Sequence, residues 1–373
     1  MSVTGTVSGG DAAISVRNVG QGLTTVNAVN TIATGNYGAA IDVIHGFELQ
    51  SVGLGINQIA KNQATILQNA TNPSAHNVSV TSTGTATGGV AGIRVANLDI
   101  GTTTVTAVDS TATGVSSETR LFGGYFGRPF QILELERSIG AGILVYGGQN
   151  SGDVSVTSTG TATGGEAGIY VRNRGLGTTT ITAADSIGIG TSEYGRFDFT
   201  LNESVVFSRE IGSGIYAYGG ENSGDLSVTS TGTATGADSG IFVRNYGQGN
   251  TSVNAVDSAG IGERSSEGID VRAFTYSTSG TPNSGDVTVS STGTATGSYN
   301  GIRVRASTLG SVTVNAVDST GGGEYSYGYG ISVRNNLYSS GLASVSTGDL
   351  TITSTGTATG GETGIYALSL IHI

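Results

Sequence analysis

Acidic residues are the side chains with the most regular spacing among those that could do chemistry. Two sets of aspartates recur along the chain, Asp109, Asp185, Asp257 and Asp318 in one, and Asp153, Asp225, Asp286 and Asp349 in the other. Glycoside hydrolysis needs a pair of carboxylates at a defined separation. A catalytic pair is normally unique, whereas Asp repeated at equivalent positions is typical of turns, where its side chain bonds to nearby backbone. We therefore predict that both sets stabilise turns, and we predict no catalytic residue.

Other chemistry-bearing groups are sparse. Asp270 and Arg272 form a local acid–base pair of the kind that a polysaccharide lyase uses, and this remains an alternative. His45 and His76 flank one segment, but the sequence offers no third ligand for a metal, and His372 lies at the C-terminal end. The chain has no cysteine, no P-loop and no nucleophile elbow. We predict no metal site and no cofactor.

Composition excludes further classes of protein. The 373 residues carry a net charge of −11, and Lys61 is the only lysine, so a nucleic-acid partner is not expected. Hydrophobic residues make up 36%, mostly small or β-branched types that favour strands. No apolar run approaches the ~18 residues of a membrane-spanning helix.

An internal repeat supplies the elements that position these side chains. The string STGTATG occurs at 82–88, 158–164, 230–236, 291–297 and 354–360, with a degenerate copy at 3–10. Units of a second type alternate with it, TTVNAVNT at 24–31, TTVTAVDS at 103–110, TTITAADS at 179–186, TSVNAVDS at 251–258 and VTVNAVDS at 312–319. A tetrad of the form GIxV follows every unit, as in GIYV at 168–171. The chain therefore contains eleven units.

Apolar residues alternate with polar ones inside each unit, which indicates strands rather than helices. Equivalent residues would lie on one another if the units stacked in parallel. We predict an all-β fold, a right-handed parallel β-helix of about eleven coils, each with three short strands, forming a single domain over residues 1–367. A propeller of four-stranded blades is the rival architecture, but no hairpin turns occur at regular spacing.

The alternating VxVTSTGTATG and GIxVRN segments resemble the passenger domains of bacterial autotransporters and related β-helix adhesins. The resemblance extends over the whole chain and rests on repeat pattern, not on a catalytic motif. It implies secretion through the type V pathway, with a signal peptide before the passenger and a membrane-anchoring C-terminal barrel after it. We expect the chain to be a fragment of such a protein. We also expect residues 368–373, which break the repeat, to be non-native adaptor read-through.

Three insertions interrupt the units, at 44–76, 115–140 and 191–213. The first contains INQIAKNQATILQNA, for which we predict a short amphipathic helix, and the third contains RFDFTLNESVVFSR, which suggests a hairpin. The last two should emerge from one side of the rod and pack as a small lobe, with a role in binding as the alternative. Its candidate residues are Phe122, Tyr125, Phe126, Phe130, Phe197, Phe199 and Phe207.

Residues between and after the inward Ile and Val of each tetrad should point outward. One outward column contains Leu144, Tyr170, Tyr216 and Phe242, and the next contains Tyr146, Arg172, Tyr218, Arg244, Arg272, Arg305 and Arg334. Arg should stack on Tyr one unit away, and Asp270 beside Arg303 should relieve part of the repulsion among the arginines. These columns form the candidate binding surface, with an ordinary stacked surface as the alternative.

The predicted function is that of a structural and adhesive rod, extracellular or displayed on a bacterial surface. Its partners would be a host-surface protein, matrix or a glycan, and the rod itself would be monomeric. A secreted β-helix polysaccharide lyase or hydrolase and an inert spacer stalk are the alternatives. A cleft holding unrepeated acidic or basic residues would favour the enzyme.

Overall fold

The structure is a computed structural model, and the part of the chain that it describes is residues 1–18, 22–46, 77–122, 131–138, 140–198, 203–263, 265–274, 285–322, 327–335 and 348–369. These residues form strands and connecting turns, with no helix among them. The strands belong to two large parallel sheets and one smaller antiparallel sheet.

The first sheet receives the STGTATG and NAVDS segments. Its strands are β1 (Thr6–Gly9), β3 (Thr24–Ala28), β4 (Asn30–Ala33), β6 (Val78–Gly88), β8 (Thr103–Ala112), β12 (Val154–Gly164), β14 (Thr179–Gly188), β18 (Leu226–Gly236), β20 (Thr251–Gly260), β22 (Val287–Thr296), β24 (Val312–Thr320), β26 (Leu350–Ser354) and β27 (Ala358–Thr359). Neighbouring strands come from successive units, so like segments lie beside one another.

The second sheet receives the GIxV tetrads, one strand from each unit. Its strands are β2 (Ala12–Asn18), β5 (Ala39–His45), β7 (Ala91–Asn97), β11 (Ala141–Gly147), β13 (Ala167–Asn173), β17 (Ser213–Gly219), β19 (Ser239–Asn245), β21 (Glu267–Ala273), β23 (Asn300–Ala306), β25 (Tyr329–Asn335) and β28 (Thr363–Ser369). The chain passes from the first sheet to the second within every unit, and adjacent strands in each sheet are parallel. The propeller is therefore excluded, because its blades are antiparallel.

The prediction of three short strands per unit is wrong for most units. Four of the STGTATG units place one long strand in the first sheet, β6, β12, β18 and β22, whereas the last is divided into β26 and β27. The pairing of the long strands skips a position near the middle, as between Ser158 and Thr161 of β12. Two residues of β12 lie opposite one residue of β14 at this skip. An extra residue of this kind bends a strand without ending it.

The hydrophobic core lies between the two large sheets. Small β-branched and alanine side chains from the first sheet meet isoleucine and valine from the second. Ile143, Ile169 and Ile215 are fully buried, as are their equivalents in the other units except Ile365, which lies in the last unit and is 42% exposed. The predicted inward direction of the tetrad Ile and Val is confirmed. Parallel stacking places each isoleucine beside the next, which gives a continuous apolar column.

The smaller sheet is built from the second and third insertions. Its strands are β9 (Val115–Phe122), β10 (Gln131–Ser138), β15 (Gly190–Asp198) and β16 (Glu203–Ile211). The pair β15–β16 is antiparallel, which confirms the predicted hairpin. Strand β10 also pairs with β15, so strands of the two insertions join in one sheet.

Two predicted boundaries differ from the strand bounds. Ile44 and His45, which we placed in the first insertion, belong to β5. Leu368 and Ser369 are paired with Arg334 and Asn335 as part of β28. The helix predicted within 47–76 lies outside the described residues.

Candidate binding surface and acidic cleft

The outward columns predicted from the tetrads line up across the second sheet. Strand register places Leu144, Tyr170, Tyr216 and Phe242 side by side, followed by Asp270 and Arg303. The adjacent column contains Tyr146, Arg172, Tyr218, Arg244, Arg272, Arg305 and Arg334. Both columns face away from the core, because the residues between them are the buried Ile and Val.

Aromatic rings form a continuous stack on this face. The ring centroids of Tyr170 and Tyr216 lie 4.6 Å apart with planes 2° from parallel, and those of Tyr216 and Phe242 lie 5.1 Å apart. Tyr146 packs on Tyr170 at 5.8 Å in a tilted arrangement. We call Tyr146, Tyr170, Tyr216 and Phe242 the aromatic ladder. The rings of Tyr170, Tyr216 and Phe242 stack face to face, and Tyr146 lies at the end of this stack at 50° to Tyr170.

The ladder rests on a small apolar cluster outside the main core. Leu144, which we placed in the binding surface, is only 7% exposed and packs here with Val90 and a row of alanines. Burial raises the pKa of Tyr146 to about 12 and also raises that of Tyr170. These phenols therefore remain protonated at neutral pH and can donate hydrogen bonds.

The arginines stack on rings as predicted, but partly on other rings. The guanidinium carbon of Arg172 lies 4.7 Å from the ring centroid of Tyr218, one unit away. Arg272 covers Phe242 at 4.7 Å. Arg244 lies 4.8 Å from Tyr246, a turn residue just beyond β19 that the sequence analysis missed. The columns are recognisable in the sequence because aromatic residues recur at the same position of successive units. Tyr246 does not lie at such a position, so the repeat pattern could not reveal its contact with Arg244.

Arg334, the exposed end of the arginine column, also covers a ring. Its guanidinium carbon lies 5.1 Å from the ring centroid of Tyr366. Tyr366 follows Ser332 in the first outward column, and the sequence analysis did not include it in the surface.

Asp270 lies beside Arg303 in the strand register, as predicted, and its carboxylate neutralises arginines of the adjacent column. Asp270 Oδ2 accepts from Nε and Nη2 of Arg272 at 2.9 and 2.6 Å, and Nη2 of Arg305 lies 3.6 Å away. Arg303 itself donates from Nη1 to Oε1 of Glu267 at 2.7 Å, a pairing that the sequence analysis did not predict.

An open cleft of about 430 Å³ lies where the aromatic ladder meets these ion pairs. Its lining combines the rings of Tyr216 and Phe242 with four carboxylates and two guanidinium groups. The charged members are Glu166, Asp238, Glu267, Asp270, Arg272 and Arg303. None of the four carboxylate positions carries the same residue in the neighbouring described units, whereas Arg272 lies between Arg244 and Arg305 in the repeated arginine column.

Glu267 has an unusual environment in this cleft. Burial, reinforced by the negative charge of Asp270, raises the pKa of Glu267 to about 7, although Arg303 opposes the rise. The carboxyl therefore exchanges its proton near neutral pH, which is a property of groups that act as general acids.

A second acidic centre occupies the same column near the N-terminal end. Asp42 accepts a bidentate pair of hydrogen bonds from Arg94 at 2.7 and 2.8 Å and lies 2.9 Å from Arg17. Burial alone would raise the pKa of Asp42, but the bonds and charges of both arginines outweigh it and lower the pKa. The cluster joins three units, and the sequence analysis missed it because insertion 44–76 separates Asp42 from Arg94 along the chain.

The repeated aspartates bond to backbone, but only one set does so between strands. Asp109, Asp185, Asp257 and Asp318 each accept a hydrogen bond at 2.8 Å from a backbone N–H of the following unit. These four residues lie inside strands, so the predicted turn position is wrong for this set. Asp153, Asp225 and Asp286 lie between strands, as predicted, and accept hydrogen bonds from backbone N–H groups of the following unit at 2.7–2.8 Å.

His45 is fully buried, with Nδ1 2.8 Å from Oγ1 of Thr24 and Nε2 3.7 Å from Oδ2 of Asp99. His76 lies outside the described residues. Within the described ranges, no group of three His, Cys, Asp or Glu could hold a metal ion. No helix there is long and apolar enough to cross a membrane.

Of the predicted lobe residues, Phe122, Phe197 and Phe207 lie on β9, β15 and β16. Tyr125, Phe126, Phe130 and Phe199 lie outside the described residues.

Comparison with known proteins found no match: no family model, no curated protein and no solved structure is similar to this chain.

Proposed function

We propose that the chain is a right-handed parallel β-helix that serves as an extracellular or bacterial-surface rod, similar to an autotransporter passenger, and adheres to a partner through the outer face of the second sheet. The observation that carries the proposal is the in-register outer column that runs from the aromatic ladder into the cleft. Eleven units at ~4.8 Å each give a rod of roughly 50 Å.

The architecture supports a role in display. Each unit buries its apolar side chains against its neighbours, so the rod needs no disulfide, and the chain has no cysteine. Rigid stacking of this kind holds outward side chains in fixed rows. Such rows offer a partner an ordered surface at little entropic cost.

The composition of the surface supports binding. Tyrosine and arginine are enriched at protein interfaces, because they combine apolar area with hydrogen-bonding groups. Tyr146, Tyr216 and Tyr218 are each partly exposed, and Arg172 and Arg244 lie beside them. The partner would be a host-surface protein, matrix or a glycan, bound by a monomeric rod without a cofactor.

The experiment is adhesion of beads coated with the purified full chain to extracellular-matrix proteins, epithelial cells and an array of glycans. We expect capture on at least one surface and reduced capture by a Tyr170→Ser/Tyr216→Ser double variant. A matched Tyr37→Ser variant removes an exposed tyrosine elsewhere and should adhere normally. Equal adhesion of all three proteins would contradict the assignment of the surface. No adhesion anywhere would leave the spacer stalk.

Sequencing the parent gene from unfragmented DNA tests the display role separately. We expect a signal peptide upstream and a barrel-forming domain downstream. A complete gene without either would contradict the autotransporter resemblance.

The cleft favours one second candidate, a polysaccharide hydrolase or lyase. Glu267, with its pKa of about 7, and the neighbouring Asp270 are the unrepeated carboxylates that such an enzyme would need. Release of reducing ends or unsaturated products from neutral and uronate polymers measures this activity. Loss of product in Glu267→Gln would support the enzyme, whereas absence of turnover would contradict it.

A further inference from the structure

Asp270 has two carboxylate oxygens in very different states. Its side chain is 1% exposed, and Oδ2 accepts both hydrogen bonds from Arg272. Within the described structure, the buried Oδ1 has no hydrogen-bond partner. A buried carboxylate oxygen without a donor is costly, so a ligand that supplies a donor would recover free energy.

The charges of the cleft narrow the class of ligand. Four carboxylates and two guanidinium groups line it, and each arginine already contacts a carboxylate. An anionic sugar would face excess negative charge. A cation would lie beside two arginines. An uncharged ligand avoids both penalties.

Hydroxyl groups are uncharged and can donate the hydrogen bond that Oδ1 of Asp270 lacks. A hydroxyl donates and accepts at once, so neighbouring hydroxyls can bond to carboxylates and guanidinium groups that lie side by side. The ladder rings Tyr216 and Phe242 form an apolar wall for C–H groups. Ser265 at the rim has φ 58°, an uncommon backbone state for a residue other than glycine, and adds a further hydroxyl partner.

We propose that this cleft binds one or two residues of an uncharged saccharide, and that Oδ1 of Asp270 accepts a hydrogen bond from a sugar hydroxyl. The proposal rests on the adhesive function and names its ligand class and its site. The cleft volume of about 430 Å³ lies in the range of small-ligand sites.

The test is titration of the full chain with cellobiose, maltose, lactose and mannobiose, followed by isothermal calorimetry, with digalacturonate and glucosamine as charged comparisons. We expect at least one neutral disaccharide to bind and the charged sugars to bind more weakly. Asp270→Asn removes the charged acceptor and should weaken binding about tenfold or more.

Asp42→Asn is the matched control. Asp42 occupies the same column and also bridges two arginines, but both of its oxygens have partners. It lies outside the cleft, so this variant should bind the disaccharide normally. Equal weakening in both variants would show a general loss of structure and overturn the proposal.

Hydrogen–deuterium exchange of the wild-type chain keeps the test independent of variant folding. Bound saccharide should slow exchange in residues 265–274 and leave residues 39–46 unchanged. Adhesion to matrix or cells without any binding of neutral saccharide would overturn this inference and leave the adhesive function in place. The ladder variant lacks the Tyr216 ring of the cleft wall, so unchanged saccharide binding in that variant would also overturn the inference.

Discussion

The carboxylate of Asp185 accepts a hydrogen bond at 2.8 Å from the backbone N–H of Thr233 in the following unit. This contact lies at the point where the strand of the STGTATG unit has one residue more than the strand with which it pairs. It also explains the glycine of STGTATG, because a Cβ at Gly232 would lie 2.4 Å from Oδ1 of Asp185 and 2.7 Å from the carbonyl oxygen of Ala184. This contact between an aspartate of one unit and a glycine of the next is therefore repeated along the first sheet.

Substitution of Gly232 in this contact should lower the free energy of unfolding more than substitution of Asp185. Asp185→Ala removes one exposed charge-assisted bond and should cost about 1 kcal/mol of unfolding free energy. Gly232→Ala should cost about 2 kcal/mol or more, because the backbone carbonyl also blocks the new methyl group. Urea denaturation monitored by circular dichroism measures both. A neutral Gly232→Ala would contradict the steric account.

Much of the framework follows from repeat and alternation. The inward isoleucines and the two outward columns were both predictable, because stacking equivalent residues fixes their neighbours. The repeat pattern did not allow us to predict which carboxylate each arginine contacts. Alternation along a strand places residues three apart on opposite faces, yet Glu267 and Asp270 both line the cleft. The pairing register skips the second residue of each of these strands, and the sequence pattern does not reveal that skip.

Contacts beyond the strands were also unpredictable for a physical reason. Tyr246 meets Arg244 from a turn, where backbone geometry rather than periodicity sets direction. The Asp42 cluster joins side chains 52 residues apart in sequence. Regular spacing carries no information about either contact.

The stacking of Arg172 on Tyr218 should be measurable as a coupling energy. A double-mutant cycle with Arg172→Ala and Tyr218→Ala should give about 0.5–1 kcal/mol, since both side chains are only partly exposed. The pair Arg334 and Tyr218, which are not in contact in the register, serves as the control and should give no coupling. Equal coupling in both cycles would mean that the energy arises from something other than the contact.

The ion pairs of Asp42 should make the stability of the fold depend on pH in the acidic range. Its pKa in the folded chain lies below 3.8, so its ion pairs stabilise the fold above that pH and are lost as pH falls further. Asp42→Asn should cost about 2–3 kcal/mol from pH 5 to 8, and the difference should shrink below about pH 4. Thermal melting of both proteins across this range provides the measurement. A difference that stays constant down to pH 2 would contradict the lowered pKa.

Glu267 should change the stability of the fold with pH in the direction opposite to Asp42, and in a higher pH range. Its folded pKa of about 7 lies above the ordinary value of 4.5, so the folded chain binds more protons than the unfolded chain between these two values. Stability should therefore fall as pH rises from about 4.5 through 7 and level off above it. Glu267→Gln stays neutral, so the melting temperature of the variant relative to wild type should rise with pH across this window. The neighbouring Asp270, Arg272 and Arg303 remain in both proteins, and the difference therefore isolates the Glu267 proton. A variant that tracks wild type from pH 5 to 8 would show that Glu267 titrates at its ordinary value, and the cleft would then lose its candidate general acid.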